Sequence, residues 1–92
     1  MKTYKGVTTS GFEFEIEACR LDDMELVDAL SELEAGSPLA ISKVGRLLLG
    51  ESLKQALYKK LKAENGGRIP VESFSSEITA IMETIGDDGK KS

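Results

Sequence analysis

The chain has 92 residues, 40% apolar and 30% charged, a balance that suits one small globular domain rather than a disordered segment. No apolar run approaches the ~20 residues a membrane-crossing helix needs, and the opening "MKTYKGVTT" lacks the apolar stretch of a signal peptide. A net charge of −4 and a pI of about 4.8 argue against nucleic acid, whose phosphates call for a basic footprint.

The first predicted element is a strand. "FEFEIE", Phe12 to Glu17, alternates strictly, with Phe12, Phe14 and Ile16 on one face and glutamates on the other. "TTSG" ahead of it reads as a turn and "KTYKGV" as the partner strand of a hairpin. The single Cys19 cannot form an intrachain disulfide; it reads as a structural thiol at the strand's end in a reducing cytoplasm.

"LDDMELVDALSELEAG" predicts a helix capped by Asp22 or Asp23, with Leu26, Ala29, Leu30 and Leu33 in one stripe, Val27 at its edge, and Gly36 as the stop. "SPLAISKVGRLLLG" predicts a second, with Ser37 as N-cap, Pro38 at the first helical position and Gly50 ending it. Ile41, Val44 and Leu48 share a face, Leu47 and Leu49 flank it, and Leu39 lies near the Leu49 flank. A helix apolar around most of its girth belongs at the centre of the fold. The alternative for its leucines is contact with a partner: a domain this small has little interior, so Leu47, Leu49 and the off-stripe Tyr58 are the candidate partner-binding residues.

"ESLKQALYKKLKAENGG" predicts a third helix on Leu53, Ala56, Leu57 and Leu61, ended by Asn65-Gly66-Gly67. "RIPVESFSSEITAIMETIG" predicts a fourth, entered at Pro70, with Val71, Phe74, Ile78, Ile81, Met82 and Ile85 in one narrow sector. The expected architecture is therefore α+β: a short N-terminal β-hairpin packed on a compact bundle of about four helices. It forms one domain over residues 1–86, followed by a disordered polar tail over 87–92.

Charge is unevenly spread. From Glu13 to Glu34 the only cation is Arg20, whereas Lys54, Lys59, Lys60 and Lys62 make a basic stretch. This reads as solvated faces that favour solubility, the alternative being head-to-tail self-association of copies. Catalytic chemistry is not expected. Without histidine the chain lacks the commonest general base and zinc ligand, one cysteine cannot build a thiolate site, and "ENGG" follows a helix rather than opening one as a phosphate loop must. Asp22-Asp23 and Asp87-Asp88 read as capping and solvated tail, and "DDGK" falls short of a calcium loop. No catalytic, cofactor or metal residue is assigned. A helix-turn-helix reading of "SPLAISKVGRLLLGESLKQAL" has Lys54, Gln55 and Lys59 for a groove, but no broader basic face.

The order "SGFEFEIE", "LDDMELVDALSELEAGSPLA", "LLLGE" and "NGGRIPVESFSSEI", spanning Thr9 to Ile85, resembles the tail assembly chaperones of siphophages and of prophages in Gram-positive bacteria. Where many of that family carry an acidic pair before the first helix, this chain has Ala18-Cys19-Arg20. The resemblance implies a non-enzymatic protein of the host bacterial cytoplasm, absent from the mature virion, that binds and solubilises the tape-measure protein. It also implies recruitment of the tail-tube protein through a longer, frameshifted form. Gly89-Lys90-Lys91 can be encoded as GGA AAA AAG, which contains the slippery heptamer A-AAA-AAG. A small regulatory module binding one folded protein is the alternative from another class, and DNA binding a weaker one.

Overall fold

A computed structural model describes residues 2–91, with side chains as far as Gly86. The tail expected over 87–92, and the lysines of the frameshift reading, lie outside the described side chains. Two antiparallel strands, β1 (Thr3–Val7) and β2 (Glu13–Glu17), precede three helices, α1 (Met24–Glu34), α2 (Ala40–Glu64) and α3 (Val71–Lys91). The α+β architecture is as expected. The count of about four helices is corrected to three, because the two central segments run on as α2 with one non-helical residue, Gly50, inside it.

The hairpin pairs Thr3 with Glu17 and Gly6 with Phe14, which sets Phe12, Phe14 and Ile16 inward and the glutamates outward. A 3-10 turn, Ala18–Arg20, follows. It leaves Cys19 exposed, so the expected structural thiol is instead a surface one. Of the two candidate caps for α1, Asp23 acts: its carboxylate accepts from Glu25 N at 2.9 Å. Gly36 terminates the helix at φ 99°, and Gly36 N donates to Leu33 O. Ser37 does not cap α2. Ala40 N and Ile41 N donate to Ser37 O and Pro38 O, so the chain enters α2 through a tight turn and the helix begins at Ala40 rather than Pro38.

The first half of α2 is the hub, as its all-round apolarity requires. Ala40, Ile41, Val44, Leu48 and Leu49 are buried, with Val44 and Leu48 wholly out of water. The helix meets α1, α3 and β2. Its approach to α3 is set by Gly45, where a Cβ would lie 2.5 Å from Phe74 Cζ. The absent side chain is filled by the Phe74 ring, itself edge-to-face with Tyr58 at 5.4 Å. At Gly50 the backbone turns to φ 77°, ψ 169°. The guanidinium of Arg20 lies over that bend, and Arg20 Nη1 donates to Leu47 O at 3.4 Å, a long bond to a carbonyl near the end of the first half. A cation there also complements the helix dipole. The second half closes at Asn65, whose side chain donates to Leu61 O at 2.8 Å.

The hairpin is tied to α3 by a polar cluster. Glu77 is 7% exposed and sits between Phe74 and Ile81 on the apolar stripe. Thr8 Oγ1 and Ser10 Oγ donate to its two carboxylate oxygens at 2.9 and 2.8 Å, and Phe12 N donates to Thr8 Oγ1 at 3.1 Å. The "TTSG" turn thus supplies hydroxyls that replace the water a buried carboxylate loses.

Candidate functional site

Two hollows compete as binding sites. The larger, about 840 Å³, lies between the hairpin and the second half of α2. Its mouth mixes Lys5 and Arg20 with Glu13, Glu15 and Glu17. Phe14 and Leu49 on its floor are buried, while Val7, 56% exposed, and half-buried Leu53 leave apolar surface open beside charges of both signs.

The second lies between α1 and α3. Both helices pack on α2, and a groove of about 520 Å³ stays open between them. Leu30 and Leu33 form one wall, Ile78 and Met82 the other, and Ile41 of α2 the floor; Glu34 and Glu83 are the charged groups that line it. Local sequence makes this groove. The apolar sector of α3 is wider than its partners cover: Phe74, Ile78, Ile81 and Ile85 are buried, whereas Met82 stays half-buried. On α1, Leu26 and Ala29 fill the contact with α2 and leave Leu30 and Leu33 half-buried.

Apolar surface continues beyond the groove. Val27, one turn before Leu30, is 47% exposed, and Val71, between Ile78 and Met82 in the α3 sector by periodicity, is 60% exposed. Val71 borders a smaller hollow of about 200 Å³ with Tyr58, Ile69 and Phe74. Ile41 lines both hollows and so joins them. Leu39, just before α2, is the most exposed large apolar residue at 85%. From Val71 to Met82 a helix rises ~16 Å, about three turns, the span over which a docked helix sets anchors at i, i+3 or i+4, and i+7.

The three residues expected to touch a partner fare differently. Leu49 is 5% exposed, its flank beside the hairpin, which agrees with the core reading of the leucines. Leu47 is half-buried against the core. Tyr58 is half-buried in the small hollow, with Lys54 Nζ 5.2 Å from its ring centroid. The structure does not bring the three together; only Tyr58 adjoins the groove's extension. The sequence reads Leu30, Leu33 and Met82 only as stripe positions; of these Met82 carries a signal, since it sits at the edge of the α3 sector.

No protein-family model, curated protein or solved structure matches the chain. Among the described residues no three or more His, Cys, Asp or Glu side chains gather to hold a metal ion, and no helix is long and apolar enough to cross a membrane. What the groove offers chemically is desolvation and shape, with carboxylates at its edge.

Proposed function

We propose that this chain is a tail assembly chaperone that covers apolar stripes of a helical tape-measure protein. The observation that carries the reading is the open groove between α1 and α3, apolar on both walls and edged by carboxylates. A long helix with an apolar stripe aggregates when bare; a small acidic domain that accepts one or two turns of that stripe hides it and adds mutual repulsion. Many copies along one polymer hold by avidity without strong single contacts. The order of caps, breaks and core positions from Thr9 to Ile85, and the lack of histidine, support a binding role over a catalytic one. The same reading places the chain in the host cytoplasm during assembly, with a longer frameshifted form recruiting tail-tube subunits.

Coexpression with the tape-measure protein encoded beside it tests the reading. A soluble complex carrying several copies of this chain per tape measure is expected, and the tape measure alone should pellet. A tape measure equally insoluble with and without the chain, with nothing co-purifying, would refute it and leave the single-partner regulator as the better account.

A further inference from the structure

We propose that the groove between α1 and α3 selects a basic amphipathic helix, one whose apolar stripe is flanked by Lys or Arg; this rests on the reading above that the groove takes a helical partner. Two independent features point to that occupant. The first is shape: the apolar walls face each other across one turn of α1, Leu30 to Leu33, and the Ile78 to Met82 turn of α3. That suits one or two turns of a helix better than an extended strand, which would need a sheet edge to satisfy its backbone. The second is charge. α1 carries Glu25, Asp28, Glu32 and Glu34, and α3 as far as Gly86 carries Glu72, Glu77 and Glu83, with no Lys or Arg on either wall among the described residues. Glu77 is turned inward and committed to Thr8 and Ser10, so it takes no part. Glu34 and Glu83 border the groove from opposite walls, and neither has a salt-bridge partner among the described residues.

A helix lying on Leu33, Ile78 and Met82 would place its flanking positions beside Glu34 and Glu83. Lysines there meet opposite charge on both sides. Glutamates there meet like charge near a surface that docking dries, where repulsion is less screened than in water. The groove thereby discriminates between stripes of equal hydrophobicity by the sign of their borders.

Two synthetic helices of about five turns serve as probes, with one leucine stripe flanked by lysine or by glutamate. Titration calorimetry should show the lysine-bordered peptide binding, more weakly as salt rises, and the glutamate-bordered one at least ~10-fold weaker. Glu34→Lys with Glu83→Lys should invert that preference. Glu13→Lys with Glu51→Lys changes the net charge equally at residues that do not line the groove, and should not invert it. Met82→Glu should weaken both peptides.

Equal affinity for the two peptides, no binding of either, or the same inversion in the control pair would overturn the proposal. So would sedimentation of the chain alone as a dimer that Met82→Glu dissolves, because a second copy would then fill the groove. A tape measure that stays soluble with the Glu34→Lys, Glu83→Lys chain would sink this selectivity and leave the chaperone reading standing. Selective peptide binding without any effect on the tape measure would do the reverse.

Discussion

Leu48→Ala is expected to lower the free energy of unfolding by about 2–5 kcal/mol, the range for a truncated core leucine. Leu48 is 0% exposed at the centre of the helix that meets α1, α3 and the hairpin, so no single neighbour can collapse into the space. A domain of this size holds roughly 5–15 kcal/mol in all, which makes the loss a large fraction. Leu39→Ala supplies the internal control: the same exchange nine residues earlier, at 85% exposure, should stay within about 0.5 kcal/mol. Urea denaturation of both variants measures the difference. A Leu48→Ala loss under about half a kilocalorie would place that residue outside the core and contradict the fold described here.

The second large effect is expected at Gly50. Its φ of 77° and ψ of 169° fall in a region that is essentially glycine-only, where a side chain costs about 1–3 kcal/mol in backbone strain. A Cβ would also lie 2.7 Å from Arg20 Nη2, the far end of a flexible side chain that must move aside, so the cost sits chiefly in the backbone. Gly50→Ala therefore has either to straighten α2 or to push Arg20 off the Leu47 carbonyl. In an ordinary helix interior the same exchange would stabilise by about 1 kcal/mol, so the bend reverses the sign of the expected change. Destabilisation of Gly50→Ala in the same urea assay is the expected result, and a gain would mean that α2 runs straight through.

Much of this fold is written in local chemistry. The strict alternation of "FEFEIE", Asp23 before Met24, Gly36 after Ala35 and Asn65-Gly66 after Glu64 each act within a few residues, and the structure places elements and ends where those signals fall. What is not local was not legible. Whether Leu49 is core or partner contact stayed open because a helical wheel treats its helix as standing alone, whereas a hairpin far earlier in sequence lies beside that flank. Val71 looked buried because it shares the α3 sector, but at the first helical position it only borders a hollow and stays 60% exposed. Gly50 reads as the break between two helices, the second opening at Glu51; that the chain passes from one to the other through a single non-helical residue is not visible in one sequence. Glu77 was the readable miss: a carboxylate three residues after Phe74 and four before Ile81 lies on a buried stripe and requires donors, and "TTSG" carries them. The groove itself belongs to the second kind, because its walls come from two helices that periodicity treats one at a time.

That groove is the centre of the account, and methyl NMR tests it most directly. Leu, Ile and Met methyl groups would be labelled in this chain and followed as a soluble helical segment of the tape-measure protein is added. The account predicts that Leu30, Leu33, Ile78 and Met82 shift or broaden together as the segment binds, while Leu47 and, on the hairpin side, Leu49 and Leu53 stay in place. Perturbation centred on Leu47, Leu49 and Leu53, with the groove methyls unmoved at saturation, would contradict it.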